Sequence, residues 1–258
     1  MQDNTEKPAK RFDPMCVLRA IKKAPVSVFL LMVFVGSLIT HQIMLDQISK
    51  YVGAKPLVDV SSVGKLLGAG KVRLGGNLTE DLPKIVMHHG VPDIYGQPLS
   101  VNYDQVQESM DIMKTFDPDS GSQRIALNEE EMKRYIEILI RISCEYCCGA
   151  KSVIFENGQS ACGCAHAKAM RGLAAYLVRN HGAKFTNDEV LRELAIWKGR
   201  YFPKQMMQKL AGQIQSGNYT PDVAALVMGL KMPKYEGASA NVPLPTDVEN
   251  MPNMVGGC

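Results

Sequence analysis

The sequence has almost no excess of charge. Its 29 lysines and arginines stand against 26 aspartates and glutamates, a formal net charge of +3. That is too slight to hold a polyanion, so nucleic acid is excluded as an expected partner. Signatures of familiar chemistry are missing as well. The chain contains no Gly-rich phosphate loop, no G-x-S-x-G elbow and no H-E-x-x-H helix, so nothing in it spells out nucleotide binding, serine hydrolysis or zinc proteolysis. No catalytic set emerges, and the chain does not read as an enzyme.

What the sequence does contain is concentrated. Five of its seven cysteines, Cys144, Cys147, Cys148, Cys162 and Cys164, fall within 21 positions, and His166 follows two residues later. Cys144 and Cys147 form a C-x2-C knuckle with Cys148 directly after it. Cys162, Cys164 and His166 form C-x-C-x-H. Between the two groups lies a β-branched and aromatic run, Ser152 to Phe155, followed by Asn157-Gly158. Asn-Gly suits a type I′ turn, so a short β-hairpin is expected to fold Cys162 back beside Cys147. Soft thiolates at such spacing suit zinc, copper(I) or a 2Fe–2S cluster. Cys144, Cys147, Cys162 and Cys164 are the primary candidate ligands. Cys148, His166 and Cys258, the last residue printed, are the further ones.

Helices are expected to hold both groups. Asn128 and Glu131 form a capping box ahead of Met132, Tyr135, Ile136, Leu139 and Ile140, which predicts an amphipathic helix from about Glu129 into the first cysteines. A second helix begins near Cys164, carries Met170, Leu173, Ala174, Leu177 and Val178 on one face, and stops at Gly182. The fold class expected is therefore mainly α, with a helix–β-hairpin–helix core over residues 128–182. A thiol–disulfide role for Cys144 and Cys147 lacks the βαβ context of such motifs. A Cys164–His166 nucleophile pair competes with four neighbouring thiols for its own sulfur.

The cysteines also admit a disulfide reading. Without Cys16 the count is six, which allows three disulfides or a mixture of disulfide and metal ligands. Vicinal Cys147 and Cys148 do not readily bridge one another, so any disulfide is expected to run between the groups. The same chain would then be a stapled structural subunit of a membrane or envelope complex.

The redox compartment is set further upstream. Residues 1–23 are polar and basic, and residues 24–45 form a run of 22 mostly apolar residues without a charge. That run is long enough to span a bilayer core of about 30 Å. With basic residues before it, the expectation is a single-pass anchor in the cell membrane, with the N-terminus cytoplasmic and the C-terminal domain outside. Cys16 stands on the cytoplasmic side as a free thiol. Other subunits of a membrane complex are natural partners for such an arrangement.

The remainder divides by composition. Residues 46–127 read as an irregular linker or wrapping region, with one helix expected over Asp104 to Phe116 and Met87-His88-His89-Gly90 as a minor cluster of potential ligands. Residues 183–230 predict three short helices in a bundle, opened by Thr186, Pro203 and Pro221, with its methionines as core filler. Lys198, Arg200, Lys204 and Lys209 read as a solvated face. Residues 231–258, with prolines at 233, 243, 245 and 252, predict an extended arm, and Cys258 gives the expectation that it wraps back to join the cluster as a ligand or disulfide partner.

Overall fold

The computed structural model describes residues 33–37, 72–236 and 243–257. The chain divides into two compact units at residue 59. In the first unit the described residues 33–37 are helical. The expected membrane span, residues 24–45, lies otherwise outside the described residues, as do Cys16 and Cys258. No helix among the described residues is long and apolar enough to cross a membrane.

The second unit is helical, as expected. Its elements are α1 (Leu78–Val86), α2 (Gly96–Leu99), α3 (Val106–Met113) running into a 3-10 turn (Lys114–Phe116), α4 (Glu129–Leu139), α5 (Ala165–His181), α6 (Asn187–Tyr201), α7 (Pro203–Ser216), α8 (Pro221–Leu226) and α9 (Thr246–Glu249). Helices α5 and α6 form the centre and pack on one another; α3, α4 and the 3-10 turn cover α5, while α1, α4, α7 and α8 cover α6.

Local chemistry sets most of the helix ends. Asn128 and Glu131 close a capping box on α4, and Thr186 and Glu189 close one on α6. Pro203 and Pro221 stand in the first turns of α7 and α8, where the missing N–H costs nothing. Gly217 ends α7 at φ 73°, a left-handed conformation that glycine adopts without strain.

Packing against α5 depends on its small residues. Ala165, Ala167, Ala169, Ala174 and Ala175 are all buried along it. Gly172 sits so close to the end of α3 that a Cβ there would stand 1.9 Å from the Met113 carbonyl oxygen. Helix α6 is enclosed all round, since 13 of its 15 residues are buried. Such a helix must satisfy its polar groups internally. Glu193 does so by accepting from the Tyr95 hydroxyl at 2.8 Å and the Tyr103 hydroxyl at 2.9 Å, while Trp197 Nε1 donates to Tyr95 Oη at 2.9 Å. These bonds tie the loops before α2 and α3 to the central helix.

Several expectations change here. Residues 78–127, read as irregular apart from a helix over 104–116, supply that helix as α3 with its 3-10 turn, the unexpected helices α1 and α2, and the buried side chains Leu82, Ile85, Val86, Tyr95, Met110 and Met113 to the shared core. Pro83 lies inside α1 and weakens the helical signal there. Lys198 is wholly buried rather than solvated, Arg200 is buried, and Lys209 is largely covered. Acidic partners from elsewhere in the sequence make this possible, as described below.

The β-hairpin is also reduced. No strand forms among the described residues, and residues 153–161 instead make a tight loop closed by one isolated antiparallel bridge, Ile154 to Ser160. Phe155 N–H donates to Gln159 O at 2.8 Å and Gly158 N–H to Phe155 O at 2.9 Å. Gly158 takes φ 84°, whereas Asn157 does not take positive φ. This is the three-residue loop with a left-handed third position, not the two-residue type I′ turn that Asn-Gly signals.

Candidate metal centre

The knuckle is reached by a turn rather than a continuing helix. Helix α4 stops at Leu139, and Arg141 and Ile142 N–H bond back to Ile138 and Leu139 with the tighter three-residue spacing. The Ile142 carbonyl then accepts from Val153 N–H at 3.0 Å. That bond draws the residues after the knuckle back across its base. Cys144 opens a fresh turn, closed by Cys147 N–H donating to Cys144 O at 3.0 Å.

Within that turn, Glu145 accepts from Lys198 Nζ at 3.1 Å and from Lys209 Nζ at 2.8 Å, and both lysines also bond Asp222. Tyr146 packs its ring against Phe202. Two helices beyond the cysteines, α6 and α7, thus hold the knuckle from behind.

The second group rests on α5. Cys164 is the N-cap of this helix, its Sγ accepting from Ala167 N–H at 3.4 Å. Cys162 is fixed by Arg171, whose Nη1 donates to its carbonyl at 2.7 Å and to that of Val153 at 3.3 Å. Arg171 is held in turn by a two-pronged pairing with Asp117, at 3.0 and 2.8 Å, both side chains being buried. The loop and the knuckle therefore meet over a rigid base.

Five sulfurs and one imidazole converge. Cys144, Cys148 and Cys162 present their sulfurs within 4.8 Å of one another, and Cys147, Cys164 and His166 do the same with their ligand atoms. The two sets adjoin: Cys144 Sγ lies 3.5 Å from Cys164 Sγ and 3.8 Å from Cys148 Sγ. Thiolates sharing a tetrahedral zinc, at about 2.3 Å from the metal, stand roughly 3.8 Å apart. Those two separations therefore match sulfurs that share an ion. Cys148 Sγ and Cys162 Sγ are closer, at 2.7 Å. None of the five cysteines is in a disulfide. Cys144 and Cys162 are buried, while Cys147 and Cys148 are exposed.

The thiols share their protons unequally. The hydrogen bond from the Cys144 thiol, helped by the His166 ring and by Ala167 N–H at the helix end, holds the Cys164 thiol down at about 3. The same bond and burial push Cys144 far up. Burial first, and then the neighbouring Cys148, push Cys162 up to about 12, while Cys148 is lowered by its bond with Cys162. Cys144 and Cys162 thus hold their protons more tightly than Cys164 and Cys148 do, and a cation bound by these sulfurs would displace protons.

His166 is positioned by the C-terminal arm. Its Nε2 lies 3.1 Å from the Val255 carbonyl oxygen. A carbonyl only accepts, so Nε2 carries the proton and Nδ1 is left with a lone pair. That Nδ1 is buried and meets no nitrogen or oxygen partner; the Cys164 sulfur is the polar group beside the ring. The ring is further held between Tyr201 and Phe202, at centroid distances of 4.8 and 5.0 Å. The described part of the arm docks here: Val248 is buried, and Val255 N–H donates to Tyr201 O at 2.8 Å.

The structure thus brings together Cys144, Cys147, Cys148, Cys162, Cys164 and His166. Cys258 lies outside the described residues. His88 and His89 do not join the cluster: His89 bonds Asp104 at 2.7 Å and His88 meets the Tyr103 ring. Sequence reasoning missed Glu145, Lys198, Lys209, Asp222, Arg171 and the Val255 carbonyl. Of these, Arg171 alone left a local sign, as a charge set between apolar residues on the inward face of α5. Comparison with family models, with curated proteins and with solved structures finds no match to this chain, so its function rests on the residues themselves.

Proposed function

We propose that this chain is a membrane-anchored metal-binding protein whose thiolate-rich centre passes metal or electrons to a membrane partner. The observation that carries the reading is His166. A buried imidazole nitrogen with no nitrogen or oxygen partner, its ring beside the Cys164 sulfur and fixed through the opposite nitrogen to a backbone carbonyl, has the arrangement that orients a histidine ligand. A purely disulfide-stapled domain has no use for it. Six donors of this softness suit copper(I), zinc or a 2Fe–2S cluster. Structural zinc sites are closed. Exposure of Cys147 and Cys148 favours a centre that exchanges its content over one that only braces the fold. The apolar run at residues 24–45 supports the anchor, with the centre on the outer side of the membrane.

The test is to purify the full chain anaerobically in detergent and measure metal by mass spectrometry together with free thiols. At least one metal ion per chain is expected, and His166→Ala and Cys164→Ser should each weaken retention by tenfold or more against a chelator. A reduced, folded chain that carries no metal and takes up neither zinc nor copper(I) would overturn the reading.

A further inference from the structure

The two sulfurs of Cys148 and Cys162 are more closely spaced than the Cys144 sulfur is to that of Cys164 or Cys148. At 2.7 Å they are too close for two ligands on one tetrahedral ion, which stand roughly 3.8 Å apart, and within about 0.7 Å of a disulfide bond. The other neighbouring sulfurs, at 3.5 and 3.8 Å, have the spacing of ligands. The geometry points to Cys148 and Cys162 as a thiol–disulfide exchange pair that is oxidised by a small-molecule disulfide of the glutathione class, and whose oxidation withdraws two of the six donors from the centre.

Exposure and anchoring assign the roles. Cys148 is exposed and lies beside Gly149, where φ is 68° and nothing crowds the position. It is the sulfur that an incoming disulfide reaches. Cys162 is buried, and Arg171 pins its backbone through the carbonyl at 2.7 Å. It is the resolving sulfur, placed beneath its partner. First the Cys148 thiolate attacks one sulfur of the external disulfide, forming a mixed disulfide and releasing one external thiolate, which takes up the proton Cys148 has lost. The Cys162 thiolate then attacks the Cys148 sulfur and expels the second external thiol, which leaves with the proton from Cys162. Two protein thiols are oxidised, one external disulfide is reduced to two thiols, and the chain loses two hydrogens.

The exchange itself does not depend on the metal-binding reading, but its effect on the centre does. Cys144, Cys147, Cys164 and His166 remain as donors after oxidation. The oxidised chain should therefore hold fewer ions, or hold them more weakly, than the reduced one.

Reduced, metal-free full chain in detergent is treated with glutathione disulfide, quenched by acid at intervals and mapped by mass spectrometry. The first disulfide is expected between Cys148 and Cys162, without a lasting adduct. Cys162→Ser and Cys162→Ala should each accumulate glutathione on Cys148, and Cys148→Ser should slow oxidation by tenfold or more. A first disulfide between other cysteines, such as Cys144 and Cys164, or undiminished oxidation of Cys148→Ser, would overturn the pair. Metal content of the reduced wild type is measured alongside. Its absence refutes the metal-binding reading and leaves the exchange pair standing, whereas equal metal retention by the reduced and oxidised chains refutes the coupling between them.

Discussion

Replacing Arg171 by methionine tests whether the second cysteine group rests on a buried ion pair. Arg171 is 1 % exposed and Asp117 is fully buried, so the substitution strands a carboxylate in the core. Removing one partner of such a pair typically costs about 3–5 kcal/mol. Ser120 Oγ donates to Asp117 Oδ2 at 2.6 Å and softens the loss. The carbonyls of Cys162 and Val153, which lose a shared donor, add to it. The net expectation is about 4 kcal/mol. With a urea dependence of about 2 kcal/mol per molar, the unfolding midpoint should fall by roughly 2 M. Trp197, the chain's one tryptophan and a buried one, reports the transition by fluorescence. The double variant Arg171→Met with Asp117→Asn carries no stranded charge and should recover about 2 kcal/mol relative to Arg171→Met. A loss below about 1 kcal/mol, or a double variant whose loss equals the two single losses together, refutes the argument. Metal retention supplies a second readout, because the clamp on Cys162 goes with the guanidinium.

Two further perturbations probe the frame around the site. Burial, with Arg192 nearby, lowers His88 to about 4 against an ordinary value of 6.5. Its neutral form is therefore favoured in the folded chain, the associated stability is fully present above pH 6.5, and it is lost as pH falls toward 4. The loss should reach about 3 kcal/mol, and His88→Gln should flatten that stretch of the denaturation profile; an unchanged profile would show that His88 does not control it. Gly172→Ala drives a methyl group into the Met113 carbonyl and should destabilise the fold by about 3 kcal/mol or more, measured by the same urea transition; a loss under about 1 kcal/mol would mean that α3 and α5 separate at little cost.

How much of this was readable in the sequence follows from the range over which each residue acts. Asn128, Thr186, Pro203 and Pro221 work within one helical turn, and each stands at the helix end expected of it. The convergence of the cysteines was also readable, because one short loop brings them together. The loop's type was not. Asn157 and Gly158 suit a two-residue turn in isolation, but with Phe155 paired to Gln159 the loop has three residues and only glycine takes the left-handed position. Lys198 shows the opposite limit. A lysine looks solvated until Asp222, 24 residues later, approaches to 2.7 Å, and nothing local announces that meeting.

The contact between His166 and Val255 carries a consequence for the order in which the centre is assembled. The five cysteines lie within 21 positions, whereas His166 and Val255 are 89 residues apart. Closing the longer loop costs about 1 kcal/mol more in chain entropy. It must also wait for α6, α7 and α8, which lie between the two residues in the chain. On the metal-binding reading, the thiolates could gather a first ion while much of the domain is still unfolded, and the imidazole would be oriented only when the arm docks. An ion captured early would be held by sulfur alone and would acquire its nitrogen ligand as the last step of folding, so that completion of the centre records completion of the fold.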